Sequence, residues 1–363
     1  MKPQATLDSK AIKTAFADLM KQNNLHQKRY PGDAFGRQPV HTVYGGAHLF
    51  KSDSAKKLGE LSLRALSRYA PDAIAFSRAV GMDEVLALKV YDRVVEKLKR
   101  EPVEDFRIDF EDGYGNRPDA EEDGHAVAAA EEVAKGLAEG TLPPFIGIRI
   151  KTFSNELSIR SARTLDIFLT TLIRATKGKL PDPFYVTLPK VVHPGQAAAL
   201  HKLLNTFEKR KKLKPNTIKV ELMIETPQSI IGFDGGAPLR AMVDALPGRC
   251  TSAHFGTYDY TASCGITAAH QSMDHRSCDF AKHIMQVTLA GTGVNISDGA
   301  TNVMPVGPNR PSDGVFNTAE QDRENAEAVH RAWKLHYGHA TGSLVNGFYQ
   351  GWDLHPAQLP TRY

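Results

Sequence analysis

Asp109, Glu111 and Asp112 fall within four positions of "FRIDFEDG", at the end of an apolar run. Carboxylates are costly to bury unless paired or metal-bound, so three of them closing a strand-like segment call for a cation. The chain offers cations and further acids at comparable places. These are Arg149 in "IGIRI", Lys190 closing "FYVTLPK", Glu225 closing "IKVELMIE", Asp259 in "FGTYD" and Asp298 in "ISDG". Positions 109, 149, 190, 225 and 259 follow one another at intervals of 40, 41, 35 and 34 residues. Each interval fits one strand, one loop and one helix.

The residue types define a chemistry. Glu225 and Asp259 are hard oxygen donors of the kind that hold Mg²⁺ or Mn²⁺ while water and substrate fill the remaining positions. Arg149 offers a planar, permanently charged fork for a carboxylate or a developing oxyanion. Together they would bind and polarise an α-keto acid, with the metal on its keto and carboxylate oxygens and the arginine stabilising an enolate. Asp109, Glu111 and Asp112 are the candidates for moving the proton or ordering the metal's water. In an extended strand Asp109 and Glu111 share one face, toward the site, and Asp112 turns into the loop. Lys190 is expected to pair with these acids or to touch substrate; a Schiff base is not expected, because the metal is already an electron sink. His41 and Tyr44, in "VHTVY", are further candidates for substrate contact, although a strand histidine is more often a satisfied structural group. His270 and Asp274, four apart in "HQSMDH", are weighed as a second metal pair and set aside as surface or capping residues.

These residues need elements to carry them. Runs at 40–44, 106–110, 145–150, 184–190, 218–225, 251–256, 293–297 and 344–350 read as strands. Between them, 83–100, 119–138, 155–177, 194–210, 236–246, 276–289 and 318–337 read as helices. Val-, Ile- and Phe-rich strands alternating with helices imply parallel βαβ units. Eight such units close into a (β/α)8 TIM barrel, an α/β fold whose strand ends converge on one rim. An open doubly wound sheet is the alternative, but "AGTGVN" lacks the third glycine of a dinucleotide turn and precedes a strand, and no P-loop occurs. Residues 1–38 read as an N-terminal helical arm, and 39–363 as the catalytic barrel with a C-terminal extension.

Composition narrows the setting. The 363 residues are 41% hydrophobic and 24% charged, with a net charge of +4, which does not suggest nucleic acid as a partner. The densest basic run, "EKRKKLK" at 208–214, suits a helix C-terminus. Cys250, Cys264 and Cys278 form no CxxC pair, as fits a reducing compartment. No apolar run is long enough to cross a bilayer, and "MKPQATLDSKAIKTAF" is too polar for a signal peptide. A cytoplasmic protein without a membrane partner is expected.

The ordered motifs resemble the superfamily of citrate lyase β-subunits, malyl-CoA lyases and 2-keto-acid aldolases. "IDFED" is similar to its "DLED", "IGIRI" to its arginine strand, "VTLPKVVHP" to "LPKVE", and "LMIETPQSI" to "IETPxGV". "HFGTYDYTASCGI" is similar to "FGxxDLxxxLG", "NISDG" to "AIDG" and "GWDLHPAQL" to "IHPRQ". The resemblance spans roughly 39–359. It implies the barrel, a Mg²⁺ or similar ion on Glu225 and Asp259, substrate binding by Arg149, reversible carbon–carbon cleavage giving a pyruvate- or glyoxylate-type product, and a homo-oligomer, trimeric or hexameric. Two departures point to a divergent branch: Lys151 stands where the family has asparagine, and "RQPVHTVYGGAHLF" replaces "RSxLFVPG", a region that helps hold CoA. A free keto or hydroxy acid is therefore expected rather than a CoA thioester. The alternatives are thioester hydrolysis or phosphoenolpyruvate chemistry on the same barrel, and a non-catalytic binding or scaffold barrel.

Overall fold

The computed structural model describes residues 4–34, 36–311 and 316–363. Eight strands pair in parallel, in chain order, and close on themselves. They are β1 (His41–Gly46), β2 (Asp105–Asp109), β3 (Phe145–Arg149), β4 (Phe184–Leu188), β5 (Ile218–Ile224), β6 (Cys250–Phe255), β7 (Asn295–Ala300) and β8 (Gln350–Asp353). Helix α1 (Ser9–Arg29) precedes the barrel and buries none of its residues. The β1–β2 connection holds α2 (Ser54–Tyr69), α3 (Ala73–Val80) and α4 (Glu84–Arg100). Then α5 (Asp119–Glu139), α6 (Ser158–Ala175) and α7 (Pro194–Lys211) follow β2, β3 and β4. Short α8 (Pro227–Ile230) and α9 (Leu239–Asp244) follow β5, and α10 (Thr257–Ser263) and α11 (Arg276–Leu289) follow β6. The long α12 (Ala319–Val345) leads to β8, and α13 (Leu359–Arg362) lies beyond it. The chain is thus a (β/α)8 TIM barrel, and among the described residues no helix is long and apolar enough to cross a membrane.

Strand periodicity explains the core. One face of each strand carries apolar side chains, among them Ile108, Ile148, Val186, Leu222 and Ala253, all fully buried. They pack in one cluster with Ala129 and Val133 of α5, Phe168 and Leu172 of α6, and Leu200 and Leu204 of α7. The other face points into the barrel. There the fold departs from the branched aliphatic layers usual for such barrels. Arg107 pairs with Asp105, donates to Thr187 Oγ1 at 3.1 Å and lies 4.4 Å from the Tyr185 ring centroid. Glu221 accepts from Thr187 at 2.8 Å, Ser252 at 2.9 Å and Tyr44 at 3.1 Å. The barrel is therefore filled by a hydrogen-bonded ionic layer beneath its rim.

Two expectations are corrected by the fold. The run 344–350 is not the last strand: Leu344 and Val345 finish α12, Gly347 turns the chain at φ +81°, and β8 starts only at Gln350. The adjacent Leu344 and Val345 instead end a 27-residue helix and are exposed. His41 is the second correction. It opens β1, yet its ring sits between the barrel wall and the outer helices. Its Nδ1 meets Asp353 Oδ2 at 2.7 Å, and its Nε2 accepts from the Glu104 amide at 3.0 Å and lies 3.1 Å from the Tyr363 hydroxyl. The structure therefore gives the ring protein partners and does not bring it to the strand-end cluster of Arg149 and Glu225.

Asp353 organises this outer cluster. It also meets His336 Nε2 at 2.9 Å and Arg362 Nη2 at 2.7 Å. Burial opposes its charge, but Arg362, His336 and His41 hold its carboxyl well below the usual range. Asp353→Asn leaves Arg362 buried without its anion, and is expected to cost about 3–5 kcal/mol in urea unfolding. A loss within experimental error would show that the cluster does not pin α13.

Candidate active site at the strand ends

Asp109 and Arg149 close neighbouring strands in register. Arg149 donates through Nε to Asp109 Oδ1 at 2.7 Å and through Nη2 to Oδ2 at 2.5 Å. The same two oxygens accept the Glu111 amide at 3.0 Å and the Gly113 amide at 2.7 Å. A Cβ at Gly113 would stand 2.6 Å from Oδ2, so the tight turn requires glycine there. With four hydrogen bonds accepted, Asp109 is saturated and fixes the orientation of the Arg149 guanidinium. The guanidinium lies 4.7 Å from the Tyr44 ring centroid and 5.4 Å from that of Trp352. The Tyr44 hydroxyl is committed to Glu221, so Tyr44 meets the site through its ring.

Lys190 gathers the remaining acids. Its φ of +52° lies in the left-handed region, which non-glycine residues enter at a cost. That conformation lets its amide donate to Glu225 Oε1 at 2.8 Å. Its ammonium pairs with Glu111, with Asp112 Oδ2 at 2.9 Å and with Asp259 Oδ2 at 3.2 Å. The structure thus brings Asp109, Glu111, Asp112, Arg149, Lys190, Glu225 and Asp259 to one mouth. Asp112 joins the cluster through Lys190 rather than leaving with the loop. Asp298 does not join it: its side chain turns outward, where Ser343 donates to it at 2.7 Å and Lys282 at 3.3 Å. His270 and Asp274 are both exposed. Lys151 is buried, donating to the Phe110 carbonyl at 2.8 Å and pairing with Glu122 at 3.3 Å, so it braces the loop after β2.

Electrostatics separate the acids. Burial pushes the Glu225 carboxyl up to about 8, and Lys190 and Arg149 do not offset it. Burial also raises Glu111, against the pull of Arg149 and Lys190. For Asp112 burial is outweighed by the Lys190 ammonium, and its carboxyl is held low. Among the described residues no group of three or more His, Cys, Asp or Glu side chains is set to hold a metal. The donor set is instead a pair of hard oxygens, Glu225 and Asp259, beside a single ammonium. That set fits Mg²⁺, which takes one or two carboxylates and completes its shell with water and substrate. A buried carboxylate short of positive charge fits the same ion.

Gly256 leaves room for Glu225. A Cβ there would stand 2.5 Å from Glu225 Oε2 and 2.6 Å from its Cβ. Gly256→Ala should displace that carboxylate and weaken Mg²⁺ binding by about 10- to 100-fold, the range seen when the supports of metal ligands are disturbed. Calorimetric titration with Mg²⁺ checks it; unchanged affinity would remove Glu225 from the ligand set.

Sequence reasoning overlooked Arg107, Glu221, His254 and Trp352, all of which face the interior. A signal was present for three of them. "DFRID" and "SAHFG" place polar residues at every second position, and "ELMIE" places Glu221 four before Glu225, in each case on one strand face. Trp352 had none, because the strand that carries it was misplaced.

The chain matches, over residues 19–363, a family described as "Domain of unknown function (DUF6986)". No curated protein matches it. Among solved structures, Haloferax volcanii malate synthase in its magnesium/glyoxylate complex is similar at TM-score 0.55 and 13% identity, covering 89% of this chain and 74% of that one. The pyruvate/acetyl-CoA ternary complex of the same enzyme gives TM-score 0.53 and 13% identity, covering 90% and 69%. The CitE protein of Mycobacterium tuberculosis with magnesium and acetoacetate gives TM-score 0.46 and 14% identity, covering 89% and 87%. The malate synthase likeness establishes a shared barrel.

Proposed function

The chain belongs to the DUF6986 family, and on its barrel we propose a divalent-metal-dependent carbon–carbon lyase or aldolase that acts on a short hydroxy or keto acid through an enolate. The observation that carries this reading is the convergence of Arg149, Glu225 and Asp259, from three different strand ends, on one mouth. Malate synthase, crystallised with magnesium and glyoxylate, makes a small oxo acid a sensible partner for such a mouth.

Glu225 and Asp259 would hold the ion. Once bound, it supplies the Lewis acidity that stabilises negative charge on the enolate oxygen. The protein's own residues do the rest. Arg149, fixed by Asp109, takes the acid's carboxylate and remains charged at every working pH. In the cleavage direction a base removes the hydroxyl proton, the adjacent carbon–carbon bond breaks, an aldehyde leaves, and the electron pair stays on the enolate until a proton returns to carbon. Glu111 is the carrier we favour for that proton. It is nearly buried, burial raises its carboxyl, and it lies 3.4 Å from Arg149 Nη1. Lys190 keeps Asp112 ionised beside it. Cytoplasmic location, homo-oligomeric assembly and the division into a 1–38 arm and a 39–363 barrel belong to the same proposal.

The test is a substrate panel with Mg²⁺ or Mn²⁺, pairing pyruvate, oxaloacetate and acetyl-CoA with glyoxylate and other small aldehydes. Release or condensation that EDTA abolishes and added metal restores is expected. Turnover only with acetyl-CoA would move the reading to thioester chemistry, and failure to bind any divalent ion would leave a non-catalytic barrel.

A further inference from the structure

The throat of the barrel, below the carboxylate cluster, holds buried polar atoms without partners. Nη1 of Arg149, Nε1 of Trp352 and both ring nitrogens of His254 make no hydrogen bond. Buried polar atoms are nearly always paired, and each orphan costs about 1–3 kcal/mol. These orphans lie together. The Arg149 guanidinium is 5.4 Å from the Trp352 ring centroid, and that ring meets His254 edge-on at 5.6 Å. Tyr44 closes the group, 4.4 Å from Trp352 and 5.9 Å from His254. Four strands, β1, β3, β6 and β8, contribute one residue each, so the fold itself builds the cluster.

The atom types say what would satisfy it. Arg149 Nη1 and Trp352 Nε1 only donate. The acceptor paired with Nη1, Glu111 Oε2 at 3.4 Å, makes an ion pair without a hydrogen bond. Burial pushes the His254 imidazole down to about 4, so at neutral pH its ring offers one donor and one acceptor. Three donors against one acceptor suit a group rich in lone pairs. A cation is excluded by the fixed charge of Arg149, and a neutral amide would set its own donors against Arg149 or Trp352.

We propose that Arg149, Trp352 and His254 form a carboxylate-binding floor inside the barrel, which selects short 2-hydroxy or 2-oxo acids bearing a free carboxylate over their amides and thioesters. The floor rests on the functional reading above and adds two specificity-determining residues to it. Trp352 supplies a directed donor, and His254 a neutral one whose second nitrogen accepts from a substrate hydroxyl.

The chain's two tryptophans make the test direct. Trp333 is fully buried and donates to the Ala357 carbonyl, whereas Trp352 lines the floor. The full chain with saturating Mg²⁺ is titrated with L-lactate and, separately, with lactamide, following tryptophan emission. Lactate is expected to change the emission saturably and lactamide not. Trp333→Phe should keep that change, and Trp352→Phe should lose it. By calorimetry Trp352→Phe and His254→Asn should each bind lactate about tenfold more weakly, the loss of roughly one hydrogen bond, with Mg²⁺ affinity unchanged. Equal binding of lactate and lactamide, or wild-type lactate affinity in both variants, overturns the floor. Because the readout needs no turnover, absence of lyase activity would sink the functional reading and leave this result standing.

Discussion

Glu225→Gln should lower metal-dependent turnover by at least about 10³-fold, the several kcal/mol that a Lewis acid contributes to a developing oxyanion, while making the metal-free protein more stable. The two effects have one cause. Glu225 is buried, its Oε1 accepts the Lys190 amide, and burial raises its carboxyl to about 8. An unfolded glutamate titrates near 4.3. A folded value above the unfolded one means that the folded state holds its proton more tightly. Stability is then greatest below the unfolded value and falls as pH rises from about 4 to about 8. Glutamine keeps the shape and carries no charge, so the variant escapes that decline. In EDTA the gap between variant and wild type should widen across this window and level off above it. Saturating Mg²⁺ should close or reverse it, because only wild type gains from binding the ion. Urea unfolding at pH 5 and pH 8, with and without Mg²⁺, reads all four corners. Equal stability in EDTA at both pH values would show that Glu225 is not a buried charge waiting for a cation. Retained Mg²⁺-dependent turnover would remove it from the ligand set.

How much of this was legible beforehand depended on the kind of signal. The barrel was visible because eight runs rich in Val, Ile and Phe, such as the one holding Phe106, Ile108 and Phe110, alternate with helical runs. The rim was visible because polar residues at strand ends recur with the length of a βα unit. Two things were hidden by physics that spacing does not encode. One is side-chain saturation: Asp109 and Glu111 look equivalent in "IDFED", yet only the structure shows four donors on Asp109. The other is the layer below the rim. Arg107 and Glu221 share a strand face with Asp109 and Glu225, but the partners that satisfy them, Thr187 and Ser252, come from other strands, and no spacing within one strand pairs them. His41 illustrates the opposite case. It lies one residue from an inward-facing position, and with a period of two that single step moved it from the barrel interior to the outer cluster around Asp353.

Arg149→Lys is the second large effect, and it separates charge from geometry. Lysine keeps the positive charge but has no planar fork, so it cannot bind Asp109 at two points and still direct a third donor into the throat. Loss of one preorganised donor to a developing oxyanion costs about 10²–10³ in kcat, and kcat/KM for the acid should fall at least that far. Arg149→Met goes further, because Asp109 is then a buried anion with only two amides to satisfy it. That should cost about 3–5 kcal/mol of stability beyond the lost activity. The partner substitution gives the control. Asp109→Asn must set an NH2 group either against Arg149 Nε and the Glu111 amide or against Arg149 Nη2 and the Gly113 amide, all of which are donors, so the fork loses its seat although its charge is intact. If Asp109 acts only by holding Arg149, the double variant Asp109→Asn/Arg149→Lys should be little worse than either single one, the non-additivity expected of residues that work as a unit. Additive losses would mean that Asp109 has a role of its own despite its four accepted hydrogen bonds. Full activity in Arg149→Lys would mean that the site needs a charge at that strand end and not a fork, which would also remove the basis for a directed Nη1 donor above Trp352.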